Sequence, residues 1–254
     1  MNCFKGITKR VCLILGVFFL GSFMSITALA QVAIEGAVAT SRSLNEERSL
    51  NEENTNLNNS ISTMAGVQAQ NGFSEDFDQG RGDNWVDDDS GVWSFTDKVY
   101  RMKGTGDGAL RASCYDATFN NFTYQADVRR TQGNLDASQG MIFRLTSNGD
   151  FYVFALASSG YYSAYKFNSR NGIELIPWTV SPAIKQGVNV WNTLKVSCNG
   201  PTIDFYVNGT LLKTVKDKAP YLAGMVGLVA VDEKRTDQGN PIVDFDNIRL
   251  ESLR

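Results

Sequence analysis

Along the stretch "FTYQADVRR", Phe122, Tyr124, Ala126 and Val128 fall on one side of an extended chain, and Thr123, Gln125, Asp127 and Arg129 fall on the other. A period of two marks a strand with one face buried and one face wet. The same alternation runs through "GMIFRLTS", "DFYVFALAS", "YYSAYKF", "NTLKVSC", "TIDFYVN", "GMVGLVAV" and "IVDFDNIRL". Turn signals separate these stretches: "SNGD" at Ser147, "RNG" at Arg170, "CNGP" at Cys198 and "VNG" at Val207. Asn-Gly accepts the positive φ angles of a type I′ turn, so residues 194–198, 202–207 and 211–215 are expected to form a three-stranded meander. Only "SPAIKQG", residues 181–187, reads as a helical turn. About twelve to fourteen short antiparallel strands in roughly 180 residues point to an all-β fold, a two-sheet antiparallel jelly-roll sandwich, with a single barrel as the alternative.

Before Phe73 the pattern is different. Lys5, Lys9 and Arg10 precede the apolar run "VCLILGVFFLGSF", and Ala28, Leu29 and Ala30 give the small-x-small pattern of a cleavage site. Residues 1–30 therefore read as a secretory signal peptide, its apolar core too short to span a bilayer comfortably. The expected mature chain starts at Gln31, has no membrane span, and is exported to a periplasm, a cell surface or the medium. Residues 31–71 are rich in Asn, Glu, Ser and Ala and repeat "SLNEER" at Ser43 as "SLNEEN" at Ser49. Such a composition cannot bury a core, and it reads as a flexible tether ahead of a folded domain at 72–254.

Composition then excludes several kinds of chemistry. The formal charge is −3, and the leader takes Lys5, Lys9 and Arg10 with it, so the remainder is more acidic still and offers no basic footprint for nucleic acid. The absence of histidine rules out His-activated nucleophiles and His-ligated zinc. Cys3 and Cys12 lie in the leader, which leaves Cys114 and Cys198 as one possible disulfide. Cys198 is in phase with Leu194 and Val196, and Cys114 with Leu110 and Ala112, so each is expected on the core side of its strand.

The order of "FSEDFDQG", "GVWSFTDKVYRMKG", "NFTYQADVRR", "GMIFRLTSNGDFYVFAL", "VWNTLKVSCNGPTIDFYVNGTLL", "AGMVGLVAV" and "VDFDNIRL" resembles the concanavalin A-like lectin/glucanase superfamily. Within it the chain is most similar to 3-keto-disaccharide hydrolase-like and laminin-G-like domains. The resemblance implies a jelly roll that handles poly- or oligosaccharide and, in many members, a structural calcium ion. It does not imply one activity, because this fold hosts enzymes, lectins and adhesion modules. Trp85, Trp93 and Trp191 take core or rim positions in that pattern.

Retaining glucanases of the superfamily carry a Glu-x-Asp-x-Glu strand, which this sequence lacks. Asp76 with Asp78 and Asp244 with Asp246 are the nearest i, i+2 carboxylate pairs, and a hydrolytic pair also needs one acid held protonated beside a groove. A hard cation suits the same residues better, since it takes several carboxylate and carbonyl oxygens at short range. By resemblance the terminal strands lie side by side, which would bring Glu75, Asp76, Asp244 and Asp246 within reach of one Ca2+ ion.

For a sugar, the useful side chains are exposed aromatics that stack on a pyranose and polar groups that fix its hydroxyls. Tyr161, Tyr162, Tyr165 and Trp178 are the candidates, supported by Arg144, Asn148 and Asp150. Alternation puts Tyr162 opposite Tyr161 and Tyr165, and it leaves open which face is wet. Asp232, Glu233 and Asp237 in the charged loop "DEKRTDQGNP" are further candidates for shaping a groove. Arg81, Gly82 and Asp83 match a tripeptide that animal cell-surface receptors read, but Gly80, Gly82, Asp83 and Asn84 are also ordinary turn residues. The resulting expectation is an exported, non-catalytic carbohydrate-binding module. The alternatives are a glycoside hydrolase or 3-keto-disaccharide hydrolase-like enzyme using acids such as Asp150 or Asp232, and an envelope or matrix adhesion protein.

Overall fold

The computed structural model describes residues 72–168, 171–234, 237 and 239–253. The leader, the tether and part of the turn at Arg170 lie outside the described residues. Fifteen strands occur among those described: β1 (Gly72–Glu75), β2 (Trp85–Asp87), β3 (Trp93–Thr96), β4 (Val99–Lys103), β5 (Leu110–Phe119), β6 (Phe122–Gln132), β7 (Ser138–Leu145), β8 (Phe151–Ala157), β9 (Tyr161–Phe167), β10 (Gly172–Val180), β11 (Asn192–Asn199), β12 (Thr202–Val207), β13 (Thr210–Lys216), β14 (Gly224–Val231) and β15 (Ile242–Ser252). All pairings between them are antiparallel. One sheet of eight strands runs β13-β12-β11-β6-β15-β4-β3, with β1 also on β15; the other, of seven strands, runs β10-β9-β8-β7-β14-β5-β2.

The two sheets pack face to face, which makes the fold a sandwich and not a barrel. Phe205 from β12 meets Phe154 and Phe143 of the other sheet at 5.1 and 6.2 Å between ring centroids. The Tyr124 hydroxyl crosses the same gap to donate to the Gly227 carbonyl at 3.0 Å. Alternation decides which side chains enter this core: in β6, Phe122, Tyr124, Ala126 and Val128 are buried while their neighbours are partly exposed. Emptying one of the larger positions, for example Phe205→Ala, carries a cost of about 3–5 kcal/mol. Among the described residues no helix is long and apolar enough to cross a membrane.

The expected meander forms as β11, β12 and β13, but its two turns use different chemistry. Asn208 and Gly209 both have positive φ, as a type I′ turn requires. At the other turn Asn199 pairs with Thr202, so Gly200 and Pro201 are the central residues, and the left-handed position belongs to Gly200. Residues 181–187 make a single hydrogen-bonded turn, the Ile184 N–H donating to the Ser181 carbonyl at 3.2 Å, and do not continue into a helix. Asn192 holds the Lys185 backbone from both sides, accepting from its N–H and donating to its carbonyl at 2.8 Å each, and Ile184 is buried in the core. Backbone groups satisfied by a side chain have no need of helical partners.

Candidate functional site

Directly paired residues in a sheet share a face, so register sorts the predicted aromatics. In β9, Tyr162 and Ala164 belong to the core between the sheets, and Tyr162 lies edge-on to Phe154 at 6.5 Å. Tyr162 is therefore a core residue and not a sugar contact. Tyr161, Tyr165 and Phe167 point the other way, onto the outer face of the seven-stranded sheet. There Tyr165 and Phe167 join Ala112, Cys114, Ile142, Leu145, Phe151, Val153, Ala155 and Val229 in a second buried cluster, with Trp178 and Met225 packed on it. The Tyr165 hydroxyl donates to Glu174 at 3.2 Å, and burial followed by the Glu174 charge pushes the phenol up to about 12. Tyr161 is the one aromatic among the exposed large apolar side chains of the described residues.

The polar residues expected to assist do not gather around these rings. Strict alternation would place Arg144 on the outer face. Instead β7 carries one extra residue against β14, with Gly227 opposite Ile142 and Met225 opposite Leu145, and Arg144 takes φ +52°. A bulge of this kind re-aims the side chain. Arg144 is fully buried, donates to the Gly200 and Asn120 carbonyls at 2.8 and 3.2 Å, and lies 6.0 Å from the Phe122 ring. It ties two turns to the end of the sandwich. Asn148 and Asp150 sit on the β7–β8 turn, beside the Phe167 end of β9, whereas Tyr161 begins that strand about 20 Å away at ~3.3 Å per residue.

The terminal strands do lie side by side, with Glu75 of β1 opposite Ile248 of β15. The expected calcium ligands are nevertheless not assembled. Asp244 is fully buried and belongs to two arginines, accepting from Arg101 at 2.6 and 3.0 Å and from Arg129 at 3.0 Å. The two guanidinium groups already balance the charge of this buried carboxylate. At Asp246, two residues on, burial first and then the charges of Asp127, Asp76 and Asp78 raise the carboxyl above the usual range. Glu75 is likewise raised by burial, against a hydrogen bond from the Phe77 N–H. Among the described residues no group of three or more acidic or cysteine side chains is arranged to hold a metal ion.

Cys114 and Cys198 are not bridged. Cys198 is in the core between the sheets, where burial pushes its thiol up to about 12, and Cys114 is on the outer face of the seven-stranded sheet. The expectation that both point inward fails for Cys114 because the outer face is also buried, so apolar phase does not identify the inner side. Asp232 and Glu233 are structural anchors. Asp232 accepts from the Thr105 and Gly106 N–H groups and pairs with Arg111, while Glu233 pairs with Arg130 at 2.7 Å and accepts from the Asn134 N–H. In the Arg81–Gly82–Asp83 loop, a Cβ on Gly82 would meet Phe95 and Trp85 at 2.8–2.9 Å, so the middle of the tripeptide is pressed against the body of the domain.

With this geometry in place, residues 72–251 match the family described as the 3-keto-alpha-glucoside-1,2-lyase-like domain. The chain belongs to that family. The fold is that of the concanavalin A-like superfamily, and several solved structures share it at low identity. The carbohydrate-binding module CBM66 of Bacillus subtilis aligns with TM-score 0.54 and 19% identity over 66% of this chain and 96% of its own. A Bacillus licheniformis β-glucanase aligns with TM-score 0.57 and 14% identity over 74% and 100%. An endo-acting O-glycanase from human gut microbiota aligns with TM-score 0.55 and 12% identity over 72% and 99%. No curated protein matches the chain.

Two features of this 3-keto-alpha-glucoside-1,2-lyase-like domain escaped the sequence reading. One is the contact between residues 181–187 and the turn that precedes β9. Gly160 has φ +104°, and a Cβ there would lie 2.7 Å from Gln186 Nε2, so the Gln186 amide rests on the turn that enters Tyr161. The other is a network at the opposite end of β9, where Lys166 pairs with Asp217 at 2.7 Å and lies 4.4 Å over the Tyr221 ring, and Tyr152 donates to Asp217 at 2.6 Å. Burial alone would raise Asp217, but the hydrogen bonds from Lys166 and Tyr152 hold it below its ordinary value. "KDK" at 216–218 gave no sign of this pairing, because Lys166 and Tyr152 are about 50 and 65 residues away in sequence.

Proposed function

We propose that the protein is an exported, non-catalytic module that binds carbohydrate. The observation that carries this reading is the composition of β9, β8, β7 and β14, four neighbouring strands at the middle of the seven-stranded sheet. Their sequences, YYSAYKF, FYVFALA, SQGMIFRL and GMVGLVAV, contain no Asp or Glu. Hydrolysis of a glycosidic bond by the usual route requires two carboxyl groups about 5–9.5 Å apart, one on each side of the scissile bond. Recognition requires only an aromatic plane and a few polar groups, and the start of β9 presents the exposed Tyr161 ring on the same outer face as Trp178. The likeness to a carbohydrate-binding module supports a saccharide as the partner. Export follows from the leader sequence.

A second reading, an enzyme acting on keto-sugar glycosides, draws its support from the family description itself. Both are tested by one pair of measurements on the mature chain: retention on a glycan array, and release of reducing sugar from the same glycans. Retention without product is the expected result. Turnover would replace the binding reading by the enzymatic one, and silence in both assays would favour an adhesion role.

A further inference from the structure

Among the described residues the buried charged side chains are Arg130, Arg144, Lys166, Asp232 and Asp244. All but one of them face an opposite charge, as buried charges must if they are to offset their lost hydration. Arg130 pairs with Glu233 at 2.7 Å, Lys166 with Asp217 at 2.7 Å, Asp232 with Arg111 at 3.3 Å, and Asp244 with Arg101 and Arg129 at 2.6 and 2.9 Å. Arg144 is the exception: it is 0% exposed, and its partners among the described residues are neutral.

The fold holds this cation in place. The bulge in β7 turns Arg144 inward at φ +52°, and Gly224 of β14 makes room for it, since a Cβ there would lie 2.4 Å from the Arg144 carbonyl carbon. The guanidinium then donates from Nη1 to the Gly200 carbonyl and from Nη2 to the Asn120 carbonyl, and it faces the Phe122 ring. These dipoles and the ring face reduce the cost of burial without supplying a negative charge. The Nε N–H is buried and meets no acceptor. Cys198 and Tyr152 sense the Arg144 charge, and neither neutralises it: burial pushes the Cys198 thiol up to about 12 and raises the Tyr152 phenol above its ordinary value, so both are uncharged at pH 7. A Cβ on Gly200 would meet nothing within 4 Å, so the turn that supplies the Nη1 acceptor borders open space.

We infer that the Nε edge of Arg144 holds a small inorganic anion of chloride size, which balances the buried charge where β7 meets the β5–β6 and β11–β12 turns. A donor on a single positive charge suits a monovalent sphere, whereas a divalent oxyanion would replace an uncompensated cation by an uncompensated anion. This site stands or falls independently of the carbohydrate-binding reading.

The test melts the mature chain at fixed ionic strength while sodium gluconate, whose anion is too large for an enclosed N–H, is replaced stepwise by sodium chloride or sodium bromide. The melting temperature is expected to rise by about 3–5 °C for each tenfold increase in halide above its dissociation constant. Arg144→Met, which keeps an extended side chain and removes the charge, is expected to melt alike in all three salts. Anomalous scattering from bromide-soaked wild-type crystals is expected to place an ion beside Arg144 Nε, and it decides the matter if Arg144→Met does not fold. Equal wild-type melting in the three salts, a halide effect that survives in Arg144→Met, or bromide found only elsewhere overturns the site. A bromide peak at Nε with no halide effect on melting also overturns it, as an adventitious ion only.

Discussion

On the outer face of the eight-stranded sheet, Thr123, Gln125, Asp127 and Arg129 of β6 stand beside Ser197, Lys195 and Thr193 of β11, all partly exposed. Arg129 covers Trp191 at 4.5 Å and Lys195 covers Tyr206 at 4.5 Å. On the outer face of the seven-stranded sheet the corresponding positions are Cys114, Ile142, Val153, Tyr165 and Phe167, all buried. Both sheets give their inner faces to one core. They differ in what the second face meets: a face of charges and hydroxyls is solvated, while the apolar face is buried along β8 and most of β9 and exposed at its margin, at Tyr161 and Val180.

A charge placed on each face separates the two surfaces most directly. Val153→Asp buries an unpaired carboxylate and is expected to cost about 4 kcal/mol or to abolish folding. Gln125→Asp, between Lys195 and Arg249 on the other sheet, is expected to stay within about 0.5 kcal/mol of wild type. Urea unfolding of the two variants measures both. Comparable losses would mean that the two faces are alike.

This contrast was only half legible in the sequence. Strands β6, β11 and β12 alternate cleanly because one face is wet, and their residues sort correctly from the period of two alone. β8 reads FYVFALA, apolar throughout, and every one of its residues is buried. A continuous apolar run signals a strand covered on both faces. Treating it as alternating left the wet face undecided and misdirected Cys114. Arg144 was missed for a different reason: a bulge adds one residue and reverses the phase, and nothing in "IFRL" marks it. Tyr161 and Trp178 do share the outer face, but their relation to Gln186 depends on how residues 181–187 fold back, which involves backbone groups that carry no side-chain pattern.

Beyond the faces, the ends of the sheets also differ in how charge is paired. Asp217→Asn leaves Lys166 buried without its carboxylate and is expected to cost about 3 kcal/mol at pH 7. Because the folded carboxyl lies below its ordinary value, its contribution is fully present above the normal carboxylate range and is lost as pH falls through the lowered value. The gap between wild type and Asp217→Asn is therefore constant from neutral pH to about 5 and closes in strong acid. A gap that widens on acidification would reverse the assignment.

Asp246 on the eight-stranded sheet has the opposite sign. Burial and then Asp127, Asp76 and Asp78 raise its carboxyl, so its ionised form is a penalty above the raised value that protonation removes. Asp246→Asn is expected to gain up to about 0.5 kcal/mol at pH 7 and nothing near pH 3, with or without added calcium. A calcium-dependent rise in melting temperature that disappears in Asp246→Asn would instead restore an ion to this cluster.

The smallest expected effect concerns the two thiols, which separate the inner and outer faces chemically. Cys198 lies between the sheets and Cys114 on the outer face of the seven-stranded sheet, with the strand backbone between them. A bridge closing a loop of roughly 85 residues would contribute about 3–5 kcal/mol, which a reductant would remove as a clear fall in melting temperature. The arrangement requires no fall. Dithiothreitol should leave the melting curve of the mature chain unchanged, and alkylation after unfolding without reductant should modify both cysteines. In the native protein Cys198 should stay unreactive, since burial pushes its thiol up to about 12 and so keeps the thiolate scarce at neutral pH. Cys114 then reports the outer face: Val153→Asp protein that remains folded should react at Cys114 while Cys198 stays protected, because the disturbance lies on Cys114's side of the sheet. Equal exposure of both thiols would show that the two faces of the seven-stranded sheet open together and carry no separate stability.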